Sequence, residues 1–254
     1  MLALVTTAPS GEQAEAAALA ARFGLTCEER RGRTVEELIA ASGGAPVLIL
    51  GSRRADLYQG TQVHRASPGM AFLRVVRAEQ GEPDPLTRAA RLGAGDRVLD
   101  CTLGLGGDAL VASQAVGPSG VVVALEASPV LAAFTSAGYR RAPEPALAPA
   151  ARIAIHTADH RAVLAALPTH SFDVVLIDPM FRAPLDAGPL FPLLRAHADH
   201  APLSAGDLLE ARRVSKRGVL VKDAWPGREL HRLGLAPLPS RRAPKIVFGW
   251  AAGS

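Results

Sequence analysis

The chain has 254 residues, of which 48% are hydrophobic. No apolar run approaches the roughly 20 residues that a membrane-spanning helix needs, so we expect a globular protein without a membrane span. All but three of the 28 basic residues are arginines and the net charge is +4, which suits a nucleic-acid partner but equally an Arg- and Ala-rich composition inherited from a GC-rich genome.

Cysteine content and the N-terminal sequence bear on the compartment. Cys27 and Cys101 are the only cysteines, which is too few for a disulfide framework. The first residues lack the basic segment that precedes the apolar part of a secretory signal. Both features predict a cytoplasmic protein.

Residues 1–62 are predicted to form a small αβ lobe, in which we find no group of residues typical of a catalytic site. Short apolar runs indicate strands, and an Ala-rich run ended by glycine indicates a helix. A Thr-x-x-Glu sequence resembles a capping box, in which both side chains bind N–H groups at the start of a helix. The predicted elements are a strand at 2–6, helices at 11–23 and 34–41, and strands at 46–51 and 55–60.

Residues 63–92 are predicted to connect this lobe to the main domain. They contain His64 and Arg65, a helix that begins after Pro68, a polar linker rich in turn-forming residues, and a short helix over about 85–92.

Residues 93–254 are predicted to form the main domain, in which strands alternate with helices. Several strands are continuous apolar runs, typical of parallel strands buried on both faces. The predicted fold class is therefore α/β, a doubly wound and mostly parallel sheet with helices on both faces. The predicted strands are 98–100, 121–126, 153–156, 172–178, 218–222 and 245–250, the predicted helices are 108–113, 128–141, 160–167, 189–198 and 204–213, and 142–150 is predicted to be a loop.

A glycine-rich turn follows the first strand of this domain. The strand ends in Asp100, the chain turns through Gly104, Gly106 and Gly107, and a helix begins at Asp108. Glycines let the backbone approach a ligand closely, and the N-terminus of a helix offers free N–H groups. The turn predicts a nucleotide-binding unit, although a glycine-rich loop without a ligand has the same sequence.

Two acidic residues follow the next strands. Glu126 ends the second strand and can accept the hydroxyl groups of a ribose, an arrangement found with both NAD and S-adenosyl-L-methionine (SAM). Asp159 follows the third strand, where SAM-dependent enzymes hold the adenine; it is equally placed to cap the helix over 160–167.

The sequence Asp178-Pro179-Met180-Phe181 ends the fourth strand. It resembles the Asp/Asn-Pro-Pro-Phe/Tyr motif of methyltransferases that act on exocyclic amines. The lone pair of such an amine is delocalised into the ring, so acceptors that hold its N–H groups favour nucleophilic geometry and stabilise the developing charge. Asp178 and the carbonyl of Pro179 would supply the acceptors, and Phe181 would stack on the base.

Three stretches resemble a known family, the bacterial 16S ribosomal RNA guanine-N2 methyltransferases of the RsmJ type. They are residues 100–110, 174–181 and 208–222, and Met in place of the second Pro is more specific to this family than to methyltransferases at large. The similarity covers most of residues 60–250. It implies a Rossmann-like class I methyltransferase fold, with a mostly parallel seven-stranded sheet and a C-terminal antiparallel hairpin.

The resemblance also implies that SAM is the cofactor. Carried over position by position, the family's cofactor contacts fall on Gly107, Asp108, Glu126, Ala127, Ala158, Asp159 and Asp178. Three positions depart from the family's pattern: Gly107 stands for an arginine, Asp159 for a serine, and Arg182 for the proline expected after Phe181. A relative that methylates another guanine or another amine is therefore an alternative.

The implied function is methyl transfer to guanine N2 in 16S ribosomal RNA, with the RNA or the small ribosomal subunit as partner. We expect a monomer that holds no metal. Lys222 would either meet RNA phosphate or pair with an acid. The candidate substrate contacts are His64, Arg65, Met180, Arg182 and Lys222.

Other basic and aromatic residues have two interpretations. One basic run is predicted to be a solvated helix end or, with a second group of basic residues, part of a phosphate-binding rim. The run is Arg212, Arg213, Lys216 and Arg217, and the second group is Arg241, Arg242 and Lys245. Trp225 and Trp250 are predicted to be core or hairpin residues, with a base-stacking role as the less favoured alternative.

Other functions fit parts of the same pattern. A SAM-dependent enzyme acting on DNA adenine or a protein amide would use the same motif. A non-catalytic nucleotide-binding module of the ribosome would keep the glycine turn alone. An NAD-linked oxidoreductase would also keep the turn, but we find no Tyr-x-x-x-Lys pair for hydride chemistry.

Overall fold

The N-terminal part of the chain forms a five-stranded sheet. The structure is a computed structural model and describes residues 4–8, 12–67, 69–141, 145–179, 190–197, 199–239 and 245–254. The strands lie in the order β2-β1-β3-β4-β5, with β1 parallel to β2 and β3 and the other neighbours antiparallel. They are β1 (Leu4–Thr7), β2 (Thr26–Cys27), β3 (Val47–Leu50), β4 (Ala55–Gln59) and β5 (Gln62–Arg65).

Two helices belong to this part, α1 (Gln13–Phe23) and α2 (Val35–Ala41). The hydroxyl of Thr34 accepts the N–H of Glu37, and the carboxylate of Glu37 accepts the N–H of Thr34, which confirms the predicted capping box. The sequence did not predict β2 or β5, because the first has two residues and the second has only one buried side chain.

Two lead-in helices, α3 (Met70–Glu79) and α4 (Pro85–Ala89), connect the two parts of the chain. Asp84 caps α4, since its Oδ1 accepts the N–H of Leu86 at 2.9 Å, and Pro85 occupies the first helical position. Arg74 of α3 donates to both oxygens of the Asp84 carboxylate, at 2.8 and 2.9 Å. This ion pair fixes α3 to the start of α4.

The second sheet lies in the order β11-β10-β9-β6-β7-β8 and is parallel except for the β10–β11 pair. Within the described ranges it has six strands, one fewer than the seven that the family resemblance implied. The strands are β6 (Arg97–Asp100), β7 (Val121–Glu126), β8 (Ile153–Thr157), β9 (Phe172–Ile177), β10 (Ser215–Ala224) and β11 (Ile246–Ala252).

Helices connect these strands. Residues 145–152 form a 3-10 helix instead of the predicted loop, and its backbone is held to α5 because the hydroxyl of Ser113 donates to the carbonyl of Pro149 at 2.7 Å. The sequence did not predict α10, whose first N–H groups are accepted by Asp223 of β10. The helices are α5 (Gly107–Val116), α6 (Pro129–Arg141), α7 (His160–Ala166), α8 (Phe191–His197), α9 (Ala205–Val214) and α10 (Arg228–Arg232).

Both faces of the second sheet are covered, as a doubly wound fold requires. Val98 and Val174 face a core that includes α5 and α6, while Leu99 and Val175 face a core that includes α9. The strand order reverses between β6 and β9, and ligands of open α/β sheets bind at such a switch point, outside the carboxyl ends of the strands.

The first core also contains residues of the N-terminal sheet, so the two parts of the chain share one apolar interior. The buried Arg141 of α6 adds polar contacts between them. Its Nε donates to the carbonyl of Gly51 at 2.7 Å and its Nη2 pairs with Glu15 at 2.6 Å. None of the helices that the structure describes is both long and apolar enough to span a membrane.

Candidate active site

A cavity of about 310 Å³ lies at the switch point, at the carboxyl ends of the central strands. Its walls are formed by the turn after β6, by the ends of β7, β9 and β10, and by α3. The predicted site residues that line it are Gly104, Gly107, Asp108, Glu126, Ala127, Asp178, Pro179 and Lys222. The structure thus brings together predicted residues from four separate segments of the sequence.

The glycine turn forms the floor of the cavity. Gly104 and Gly106 have φ values of +51° and +79°, the left-handed region that glycine adopts at little cost. A side chain at Gly106 would also collide with Tyr139, whose hydroxyl would lie 2.0 Å from the added Cβ. Gly106 does not line the cavity, so it shapes the turn rather than touching a ligand. No side chain caps the helix that follows, α5.

Glu126 is buried and holds the turn in place. Its Oε2 accepts the N–H of Gly104 and its Oε1 accepts the N–H of Ser128, both at 2.9 Å. Burial raises the pKa of Glu126 above its ordinary value. Because each carboxylate oxygen has a second lone pair, the group can still accept hydrogen bonds from a ligand.

Of the two roles predicted for Asp159 after β8, the structure shows the helix cap. Asp159 does not line the cavity; its Oδ1 accepts the N–H of Arg161 at 2.9 Å and so caps α7. Ala158 also lies outside the cavity and donates its N–H to the carbonyl of Glu126 at 3.0 Å. The neighbouring His160 lines the cavity instead, a role that its sequence position did not indicate. Burial lowers the pKa of His160, which favours the neutral ring.

A chain of charged groups forms the wall between the glycine turn and β9. The Nζ of Lys222 lies 2.8 Å from Oδ2 of Asp108 and 2.7 Å from Oδ2 of Asp178. Arg74 closes the chain from α3, with its Nη1 2.7 Å from Oδ1 of Asp108. Of the two expectations for Lys222, the structure shows the pairing with acids. Arg74 was not predicted, because no motif marks it.

The four charged side chains of this wall, Arg74, Asp108, Asp178 and Lys222, control one another's ionisation. Burial disfavours the charge of Asp108, but Lys222 and Arg74 outweigh it and hold the pKa of Asp108 below its ordinary value. Burial likewise disfavours the Lys222 ammonium, yet Asp178 and Asp108 raise its pKa. For Asp178 burial prevails over Lys222, and its pKa lies above the ordinary value. Ionisation of Asp178 therefore depends on Lys222.

Asp100 supports this wall from below, although it does not line the cavity. Its Oδ1 accepts the N–H of Thr102 at 3.0 Å, and the hydroxyl of Thr102 accepts the N–H of Asp178 at 2.7 Å. Burial raises the pKa of Asp100 to about 7, and its Oδ2 has no hydrogen-bond partner in the described part of the chain.

The remaining predicted substrate residues are not at this cavity. His64 is buried in β5, and the exposed Arg65 pairs with Asp56 at 2.9 Å, so neither reaches over the cavity as expected. Met180, Phe181 and Arg182 lie outside the described residues.

The basic run after α9 does not form a rim of the cavity either. Arg217 pairs with Asp96 at 2.6 Å and Lys216 with Asp173 at 3.1 Å. Asp96 and Asp173 lie at the amino ends of β6 and β9, whereas the cavity is at the carboxyl ends of these strands. This run therefore belongs to the opposite end of the sheet.

SAM fits the polar groups that this cavity leaves unsatisfied. The buried Nε2 of His160 has no partner among the described residues, and the N-terminus of α5 carries no side-chain cap. A ligand with a nucleoside and an amino-acid moiety would complete these groups, with Glu126 at the turn and Asp108 at the helix start. Among the described side chains, we find no cluster of His, Cys, Asp and Glu suited to a metal ion.

Comparisons with known proteins agree with this geometry. A family model described as "Putative SAM-dependent methyltransferase" matches residues 52–186. An uncharacterised protein of Bacillus subtilis, YpiP, is 36% identical over 219 residues, which is 84% of this chain and 84% of YpiP. The ribosomal RNA small subunit methyltransferase J of Alkalilimnicola ehrlichii is 32% identical over 263 residues, which covers 95% of this chain and 93% of the relative.

A solved structure shows the same fold. The SAM-dependent methyltransferase NGO1261 of Neisseria gonorrhoeae is 22% identical, superposes with a TM-score of 0.65, and is matched over 98% of this chain and 95% of its own. The predicted α/β class I methyltransferase fold and the predicted cofactor, SAM, are both confirmed.

Proposed function

Because the chain belongs to the family of SAM-dependent methyltransferases that includes ribosomal RNA small subunit methyltransferase J, we propose that it methylates the exocyclic N2 amine of a guanine in small-subunit ribosomal RNA. The name of that relative and the Asp-Pro-Met-Phe sequence at 178–181 support the RNA substrate. The basic composition is consistent with it.

The main support for the proposal is that one oxygen of the Asp178 carboxylate, at the rim of the cavity, is free to accept a hydrogen bond. Its Oδ2 is held by Lys222 at 2.7 Å, whereas its Oδ1 makes no hydrogen bond to any described residue. The carbonyl of Pro179, two residues beyond the end of β9, accepts no hydrogen bond from a described residue either. A primary amine has two N–H groups, and these two oxygens supply two acceptors.

The chemistry of an aromatic amine explains why two acceptors suffice. An N–H group bound to the ionised Asp178 leaves the nitrogen lone pair free for attack, and the carboxylate stabilises the charge that develops. When bound, SAM supplies a methyl group on a positively charged sulfur. The methylated nitrogen is acidic, so Asp178 orients the amine and no strong base is required. Lys222 lowers the pKa of Asp178 and so opposes the protonation that burial favours.

The test is methyl transfer from radiolabelled SAM to small ribosomal subunits from a strain that lacks the gene. We expect label in the RNA fraction with the wild type and a loss of at least ~100-fold in Asp178→Ala, because the amine loses its acceptor. Asp173→Ala is the matched control, since Asp173 lies at the other end of β9, 3.1 Å from Lys216. Label that persists in Asp178→Ala, or that never enters RNA, would overturn the proposal.

A further inference from the structure

A second, larger cavity adjoins the cofactor cavity. Its volume is about 990 Å³, roughly three times the 310 Å³ of the first. Met70, Arg74 and Lys222 line both, so the two cavities share one wall. Lys222 holds Asp178 in that wall, and the second cavity therefore begins beside the proposed acceptor carboxylate.

We call this second cavity the α4–β11 groove. Its sides are mainly apolar, and each side also carries one basic residue. Pro85 and Ala89 of the α4 side face a lining that includes Phe248 of β11. Arg88 and Lys245 add one positive charge to each side. Both are exposed, and neither forms an ion pair within the described ranges. The groove's one carboxylate among its described lining residues, Asp84, is already neutralised by Arg74.

A large aromatic side chain lies next to the groove. Trp225 follows the last residue of β10, and its N–H donates to the carbonyl of Lys245 at 3.0 Å. Trp225 is 58% exposed and bonds across the β10–β11 pair, so of the two predicted placements it is a hairpin residue and not a core residue. Proteins that bind single-stranded nucleic acids stack exposed aromatic side chains on the bases and contact the phosphates with nearby unpaired cations. Trp225 and the cations of the groove have this arrangement.

We propose that the α4–β11 groove and Trp225 bind a single-stranded segment of RNA that flanks the target guanine. This inference rests on the proposed function and adds to it the path of the substrate strand. The apolar sides and Trp225 contact bases, and Arg88 and Lys245 contact phosphates. Charge complementarity selects this occupant, because the unpaired charges among the described residues of the groove are all positive.

The first experiment measures binding of a fluorescein-labelled 12-nucleotide single-stranded RNA of mixed sequence at several salt concentrations. The double variant Arg88→Ala, Lys245→Ala is expected to weaken RNA binding. It should also reduce the slope of the logarithm of the association constant against the logarithm of the salt concentration by about 1.4, the change expected when two phosphate contacts are lost. Arg140→Ala is the matched control, since Arg140 of α6 is exposed, forms no ion pair with a described residue and does not line the groove. An unchanged slope in the double variant would overturn the inference.

Trp225 is tested by a pair of variants. Trp225→Ala is expected to weaken RNA binding by about 5- to 100-fold, and Trp225→Phe to retain most of it, because an aromatic ring is what stacks on a base. Equal affinities for the two variants would contradict a stacking role. Calorimetric titration with SAM checks that each variant keeps its fold.

Methyl transfer to small subunits then separates the two proposals. The groove variants are expected to raise KM for the subunit with little change in kcat. If the wild type binds the single-stranded RNA but transfers no methyl group to small subunits, the proposed function fails and the groove stands. If the wild type transfers and the groove variants match its KM, the groove is wrong. Variants that bind RNA normally but lose subunit binding would assign the groove to a ribosomal protein and also overturn the inference.

Discussion

At the scale of single residues, the site depends on one lysine between two aspartates. Lys222 contacts Asp108 and Asp178 at 2.8 and 2.7 Å and lies mostly buried. Removing one partner of such a group leaves the others as uncompensated buried charges. In the proposed mechanism Lys222 is therefore a positioning residue, which acts through Asp178 on the amine that receives the methyl group.

Lys222→Met is expected to lower kcat at neutral pH by about 100-fold, because Asp178 loses both its orientation and its counter-charge. Burial raises the pKa of Asp178 and Lys222 opposes that rise, so the variant should protonate Asp178 at higher pH than the wild type does. The reaction needs the ionised carboxylate, so the acidic limb of the pH–rate profile should move to higher pH.

Lys222→Arg is the control for this prediction, since it keeps the charge and should restore the position of the acidic limb. A purely structural role for Lys222 would change the rate without moving the limb. That result would reject the electrostatic account.

The sequence indicated part of this site at residue level. Asp108, Glu126 and Asp178 stand beside glycines and strand ends, where a local pattern marks them, and all three line the cavity. Asp159 fits the same pattern but caps a helix instead. Arg74 and His160 carry no pattern, because only the tertiary packing of α3 and α7 brings them to the cavity.

At the scale of elements, the turn between β6 and α5 is shaped by α6. The hydroxyl of Tyr139 donates to the carbonyl of Gly106, and that of Thr135 donates to the carbonyl of Gly104 at 2.8 Å. Both side chains also occupy the space where a Cβ of Gly106 would lie. The glycine is required by this packing as well as by its backbone conformation.

Gly106→Ala should therefore lower the free energy of unfolding by about 2–5 kcal/mol, from left-handed strain and overpacking together. The added Cβ would lie 2.0 Å from the Tyr139 hydroxyl and 2.9 Å from a methyl carbon of Thr135. Urea denaturation measures the effect. Gly93→Ala is the control, because Gly93 has no left-handed φ and open space around its Cβ position. Equal stabilities of the two variants would show that α6 does not shape the turn.

Element prediction from the sequence succeeded where the pattern is local. The strand over Val121–Glu126 was predicted with its observed bounds, and the Thr34 capping box was confirmed. The helix α10 was missed because its cap, Asp223, comes from β10 and not from the residue before the helix. Such caps are set by tertiary structure, and a local pattern cannot show them.

At the scale of the whole molecule, the two sheets are joined by a common core and by Arg141. This arginine is buried and donates across the boundary to Gly51 and Glu15 at 2.7 and 2.6 Å. Its removal would leave a buried carbonyl without its donor and Glu15 without its counter-charge. The joint between the sheets is thus partly polar.

Arg141→Met is expected to lower the free energy of unfolding by about 2–4 kcal/mol. Arg140→Met, at the adjacent exposed position, should change it by less than about 0.5 kcal/mol. Because residues of both sheets share one core, calorimetry of the wild type should show a single transition. Two separate transitions would show that the sheets unfold independently. Equal effects of the two variants would show that Arg141 does not stabilise the joint between the sheets.

Nucleoside analysis of the labelled RNA identifies the group that the protein methylates. Small ribosomal subunits from a strain lacking the gene are incubated with the protein and radiolabelled SAM, and their RNA is digested to nucleosides. We expect the label in N2-methylguanosine. Label in any other nucleoside, or in ribosomal protein, would contradict the guanine-N2 assignment.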